Sequence, residues 1–167
     1  MKKILGIAIF CLFCISLVGC TKTYHGTAEL TAKAREEFPI SHADTTEIQY
    51  AGQIGKEENV LVWFISGNEY QFHDYLPMEF TVVGKDAYSF VHTYKPMVDR
   101  ANGVAVLLWK NGYAFLINNP EIVNVQFTLA TGDLLEEHIP EGALPYVFYL
   151  PSIPTEYIFL TAEGNEI

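Results

Sequence analysis

Two continuous apolar runs, Val60-Leu61-Val62-Trp63-Phe64-Ile65 and Val104-Ala105-Val106-Leu107-Leu108-Trp109, most constrain what this chain can fold into. Neither alternates with polar residues and both are bounded by turn residues, so each reads as a buried strand. The first is closed by Ser66-Gly67-Asn68 and followed by the alternation Tyr70-Gln71-Phe72; the second by Lys110-Asn111-Gly112 and Tyr113-Ala114-Phe115. Asn111-Gly112 is a hairpin signal, because a type I′ turn needs positive φ at both central residues. The repeated pattern fits a duplicated hairpin or two independent hairpins with buried central strands.

Further strands are expected near Thr46–Gln53, Met78–Val83, Tyr88–Tyr94, Ile122–Leu129, Val147–Leu150 and Tyr157–Thr161, with turns at Thr131-Gly132-Asp133 and Glu163-Gly164-Asn165. Pro151 and Pro154 remove two ladder donors and mark a bend or an edge. One helix is expected, over Ala28–Phe38. Leu30, Ala34 and Phe38 form its apolar stripe, Thr27 is positioned to cap it, Glu29 and Lys33 stand i, i+4, and Pro39 stops it. One helix ahead of a meander of hairpins predicts an α+β fold, with the N-terminal helix packed on a curved antiparallel β-sheet.

The first nineteen residues have a different composition: fourteen apolar residues, Lys2 and Lys3, and no acid. Ile4 to Val18 as a helix spans about 22 Å, short of the roughly 30 Å hydrocarbon core, so an export signal is expected rather than a membrane span. The run ends in Leu17-Val18-Gly19-Cys20. These residues resemble the lipobox of bacterial lipoproteins, a likeness confined to residues 1 to 20. It implies cleavage before Cys20, a diacylglyceryl thioether on the Cys20 sulfur, and often acylation of the new amino group. Two or three acyl chains hold a protein stably where one does so only marginally. Cys20 is then an attachment point to the membrane, and the chain divides into a signal peptide (1–19), a short lipidated tether (20–26) and one domain (27–167). The expected location is extracytoplasmic, on the cell membrane or, in a Gram-negative envelope, on the outer membrane.

Cys11 and Cys14 belong to the leader, which leaves Cys20 alone and excludes an internal disulfide or a thiolate metal site. The leader also takes two of the ten basic residues and none of the twenty acids, so the mature part carries about −12 by simple count. That charge argues against nucleic acid as a partner. Lys110 is the last basic residue; from Asn111 to Ile167 there are eight acids. Such a region solubilises the domain and favours a cationic partner, without the spacing of a calcium loop.

Catalytic patterns are missing from the sequence. There is no Gly-x-Ser-x-Gly, Ser-x-x-Lys, phosphate-binding glycine loop or His-Glu-x-x-His, and no cofactor or metal is expected. Ser41-His42-Ala43-Asp44 holds triad residue types, but adjacent residues seldom converge on one atom. His73 and Asp74, read as strand neighbours, would point to opposite faces. His92 alternates with Tyr88, Phe90 and Tyr94, and a histidine sharing a face with aromatics can read a ligand or sense pH. Tyr146, Phe148, Tyr157 and Phe159, with Tyr75, could form a strip that grips sugar rings or an extended peptide. The sequence therefore leads to a small binding module of the envelope, with strand addition at Tyr157–Thr161 as one mode. The alternative is a hydrolase or lyase of envelope polymer that pairs a carboxylate with His73, His92 or His138.

Overall fold

The computed structural model describes residues 22–38, 46–55, 58–67 and 73–167. Cys20, Ser41-His42-Ala43-Asp44 and Tyr70-Gln71-Phe72 lie outside these residues. The first element is a short strand, β1 (Thr23–His25), followed by α1 (Gly26–Glu37). Four strands come next: β2 (Ile48–Ile54), β3 (Asn59–Ser66), β4 (Tyr75–Gly84) and β5 (Ala87–Thr93). They form one antiparallel sheet in the order β1-β5-β4-β3-β2. This sheet is strongly curled, a half-barrel, and the fold is α+β with the helix on the curved sheet.

The curl has a local cause. Three residues have no cross-strand partner: Ala51 in β2, Val83 in β4 and Val91 in β5. Each is a bulge, and a bulge bends its strand and increases the local twist.

The strands that follow extend the expected single sheet into two more. A second sheet, in the order β11-β8-β7-β6, contains β6 (Met97–Asp99), β7 (Val104–Trp109), β8 (Gly112–Ile117) and β11 (Tyr146–Leu150). A third, in the order β10-β9-β12, contains β9 (Asn124–Thr128), β10 (Leu134–His138) and β12 (Glu156–Leu160).

The two apolar runs explain how these layers stack. In β3, Val60, Val62 and Phe64 pack under α1 with Leu30, Ala34 and Phe38. The alternate residues Leu61, Trp63 and Ile65 pack against Ala105, Leu107, Trp109, Ala114 and Leu116 of the second sheet. The second sheet is covered on its other side too, where Val104, Val106, Phe115 and Ile117 meet Val125 and Phe127 of the third. Helix and three sheets thus enclose three apolar layers, and a strand covered on both faces has no position for a polar residue. Among the described residues the indole N–H groups of Trp63 and Trp109 have no hydrogen-bond partner; packing holds both rings, and Lys110 Nζ also stands 4.3 Å over the Trp109 ring. The two Trp segments also differ in setting: Trp63 pairs with Pro77 in mid-strand, whereas Trp109 pairs with Gly112 at a hairpin tip.

Several local expectations are corrected. The residues read as a tether are structural from Thr23, because β1 pairs with β5 and buries Tyr24 against Phe80. The N-cap of α1 is His25, whose backbone N–H donates to Glu29 Oε2 at 2.7 Å; Thr27 lies inside the first turn. With Glu29 so occupied, Lys33 donates to Glu37 at 2.5 Å. The helix ends as expected, with Phe38 extended before Pro39. At the β7–β8 hairpin the two loop residues are Lys110 and Asn111, and the positive φ, 52°, belongs to Lys110. Gly112 is required for a different reason, since a Cβ there would run into the Leu150 carbonyl oxygen of β11. Gly52 has the same role where β2 meets β11, its would-be Cβ lying 2.5 Å from Val147 Cγ2.

Gly112→Ala is therefore expected to lower stability by about 1–3 kcal/mol in urea unfolding. Gly84→Ala, where the nearest atom is Ala87 Cβ at 3.4 Å, should stay within about 0.5 kcal/mol. Equal effects would show that the close approach of β11 to Gly112 is not a constraint.

Candidate functional site

The bulge at Val91 divides the aromatic face expected along β5. Before it, Tyr88 and Phe90 turn toward the helix, with ring centroids 6.4 and 5.8 Å from Phe80. Lys33 Nζ stands 4.5 Å over the Phe90 ring. Beyond the bulge, Tyr94 packs in the layer between the first two sheets, and His92 sits directly across from Glu79 of β4. Tyr88 and Phe90 therefore do not share a face with His92 and Tyr94.

Glu79 is buried, at 8% exposure. A carboxylate in that position needs a donor, and Tyr94 supplies one, its phenol donating to Glu79 Oε2 at 2.5 Å. Burial, and then the hydrogen bond to Glu79 and its charge, push the Tyr94 phenol up to about 12. The His92 ring meets the Tyr94 ring edge-on, with centroids 4.7 Å apart. The arrangement holds a buried acid in place with a phenol donor.

Tyr146, Phe148, Tyr157 and Phe159 are brought together, in the layer between the second and third sheets. Phe148 stacks on Phe115 at 4.8 Å, Tyr157 meets Phe115 edge-on at 5.4 Å, and Phe159 adjoins Tyr157 at 5.7 Å. They are half-buried packing residues rather than an open strip, and Tyr75 is buried between the first two sheets. The Tyr146 hydroxyl donates to Glu137 Oε1 at 2.5 Å, and burial followed by that contact pushes its phenol up to about 12.

Tyr157 and Phe159 also line one wall of a groove of about 340 Å³ where the second and third sheets part. The opposite wall comes from Met97 and Asp99 of β6 and from Val106 of β7. Both β6 and β12 are edge strands of their sheets. On β12 the edge is in use at one end, where Ile167 N–H donates to the Phe159 carbonyl at 3.0 Å and Glu166 bridges to Leu160. Two carboxylates border the groove, Asp99 and Glu166. Asp99 is fixed by the Ala101 and Asn102 backbone N–H groups, at 3.1 and 3.2 Å. Arg100 turns away and pairs with Asp74 at 2.6 Å.

The remaining histidines lie apart from one another. His73 and Asp74 precede β4 rather than belonging to a strand; the His73 ring is 2.9 Å from the Ser66 carbonyl. His138 Nδ1 is 2.7 Å from Asn124 Oδ1. Among the described residues, no group of three or more His, Cys, Asp or Glu is placed to hold a metal ion. Nor is any of their helices long and apolar enough to cross a membrane. Sequence reasoning missed the groove, because neither three-residue β6 nor the fold-back of residues 166–167 has a signal of its own; the exposed Met97 beside Asp99 is the nearest to one. No protein-family model, curated protein or solved structure matches the chain.

The two raised phenols make a pH prediction. Below pH 10 they are protonated in folded and unfolded chains alike, and their contribution to stability is complete. Between pH 10 and about 12 the unfolded chain ionises its tyrosines while the folded chain does not, so stability falls across that window. Tyr94→Phe should cost about 1–3 kcal/mol at pH 7 by leaving the Glu79 carboxylate unpaired, and should flatten part of the alkaline fall. Urea unfolding at pH 7 and pH 11 measures both effects.

Proposed function

We propose that the protein is a lipid-anchored binding module of the bacterial cell envelope, which captures an extended, basic segment of another envelope protein. The observation that carries this reading is the groove between β6 and β12. It lies between two edge strands, has apolar and aromatic walls, and is bordered by Asp99 and Glu166. An edge strand offers main-chain donors and acceptors to a guest strand, and pockets for alternate side chains supply selectivity. The bridge from Glu166 to Leu160 is a short instance of such pairing within the chain itself. A guest in that position meets the carboxylates with its basic side chains and the walls with its apolar ones. The nearby 111–167 segment carries eight acids and no Lys or Arg, which steers a basic guest toward this end of the stack.

Anchoring rests on Leu17-Val18-Gly19-Cys20. With β1 beginning at Thr23, only Thr21 and Lys22 separate the lipidated cysteine from the fold. At most about 3.6 Å per residue, the anchored domain stands roughly 10 Å from its lipid. β1 belongs to the sheet beneath α1, whereas the groove lies between the other two sheets. The binding edge is thus at least one sheet spacing, about 10 Å, from the anchored one.

Two measurements test the two halves of this reading. The wild-type chain should fractionate with membranes, and mass spectrometry should find acyl groups on Cys20; Cys20→Ser should move the protein to the soluble fraction. A wild-type chain without acyl groups ends the anchoring half. For the groove, an alternating Lys-Val octapeptide should bind the full chain and an alternating Glu-Val octapeptide should not. The double variant Met97→Lys, Glu166→Lys alters exposed positions and should weaken the Lys-Val peptide by about tenfold, some 1.4 kcal/mol. Equal binding of both peptides, or indifference to the double variant, contradicts the groove half.

A further inference from the structure

A second concavity, of about 580 Å³, opens where β9 begins and β10 ends. Its walls are Pro120, Ile122, Ile139, Pro140 and Leu144. They are held in place from behind, for Ile122 and Ile139 are rooted in the core at 2% and 5% exposure. The backbone is laced on both sides of the mouth. Ile139 N–H donates to the Val123 carbonyl at 2.8 Å, Ile122 N–H to the Asn119 carbonyl at 3.2 Å, and Ala143 N–H to the Pro140 carbonyl at 3.1 Å. Glu121 N–H is taken by Asn119 Oδ1 at 3.0 Å. The volume falls in the range of small-molecule sites, and a preformed apolar cavity with few polar groups is the usual form of one.

The polar groups define the ligand. His138 and Glu141 are the ionisable side chains that line the pocket. His138 Nδ1 stands 2.7 Å from the Asn124 side-chain oxygen, an acceptor, and the tautomer that satisfies this contact has its hydrogen on Nδ1 and leaves Nε2 as an acceptor. Glu141 offers carboxylate oxygens, which only accept. Proline has no N–H, so Pro120 and Pro140 add no backbone donor. The lining contains neither Lys nor Arg, and the chain has none beyond Lys110. The side chains of the pocket therefore present acceptors and negative charge around apolar walls. An anion would be repelled there, whereas a molecule with a cationic donor at one end and hydrocarbon at the other satisfies both halves.

We infer that this pocket binds a small organic ammonium compound, its N–H groups directed to Glu141 and His138 and its hydrocarbon body against the Pro, Ile and Leu walls. The site is separate from the β6–β12 groove and does not depend on it. The test is calorimetric titration of the full chain in lipid nanodiscs, with empty nanodiscs as reference. Three matched probes are used: cyclohexylmethylammonium, cyclohexylmethanol and cyclohexanecarboxylate. The ammonium should bind about tenfold more tightly than the alcohol, and the carboxylate should give no measurable heat. Glu141→Gln, an exposed substitution, should weaken the ammonium about fivefold or more and leave the alcohol within about twofold. Val123→Phe, which enlarges a lining residue, should weaken both, with thermal unfolding verifying that the variant is folded. Carboxylate binding as strong as ammonium binding, an ammonium affinity unmoved by Glu141→Gln, or the lack of heat from every probe would overturn the assignment. None of these results bears on peptide capture at the groove.

Discussion

The rest of the structure depends on β3, β7 and β8 being covered on both faces. Burying a large apolar side chain stabilises a fold by roughly 1.5–3 kcal/mol, and β3 alone holds Val60, Leu61, Val62, Trp63, Phe64 and Ile65 at 4% exposure or less. A strand buried on only one side could bury only half of these, which is why the run does not alternate. Once β3 needs a layer above and a layer below, α1 and the second sheet are the elements that supply them, and the second sheet recruits the third for the same reason. The close approach at Gly52 then follows, because the stacked first and second sheets leave no room for a Cβ against Val147, whereas Gly112 is tight against Leu150 of the neighbouring strand in its own sheet.

Polar chemistry is accommodated at the margins of these layers. Glu79 sits on the face of the curled sheet turned to the second sheet and is tolerable there because Tyr94 donates to it; Glu137 has the equivalent partner in Tyr146. Burial first, and then the carboxylate each phenol faces, push both phenols up in pKa. The binding surfaces proposed above occur where the stacking stops. Among the described residues β6 has no strand on its outer side and β12 is covered there only at one end, by residues 166–167, and the pocket beside His138 lies where β9 begins and β10 ends.

What could be read from the sequence divides along the same physical line. Apolar runs, Asn-Gly and Gly-Asp clusters and the Leu30/Ala34/Phe38 stripe report local or single-layer physics, and they placed α1 and nine of the strands within a few residues. Periodicity does not report which sheet a strand joins, so the separation into three sheets was not legible. A bulge shifts the alternation without altering composition, and Val91 therefore made Tyr88, Phe90, His92 and Tyr94 read as one face when they occupy two. β1 and β6 were missed because three residues are too few to show a period, though Tyr24 between polar neighbours is a faint one. β10 was missed because its Leu-Leu-Glu-Glu-His sequence is that of an exposed edge, with Leu134 at 63% and Leu135 at 42% exposure. The aromatic candidates were legible as residues but not as surfaces, since the packing of the second sheet on the third, which half-buries Tyr146, Phe148, Tyr157 and Phe159, could not be foreseen.

A doubly covered centre and a bare seam between two sheet edges make different demands on the same backbone, and amide hydrogen exchange reads both at once. Measured on the full chain with and without the alternating Lys-Val peptide, the β3, β7 and β8 amides should exchange slowest in both states. The peptide should add protection at Met97–Asp99 and Glu156–Leu160. Fast exchange in β3, or peptide protection that appears only at β1 and β2 on the first sheet, would contradict the account.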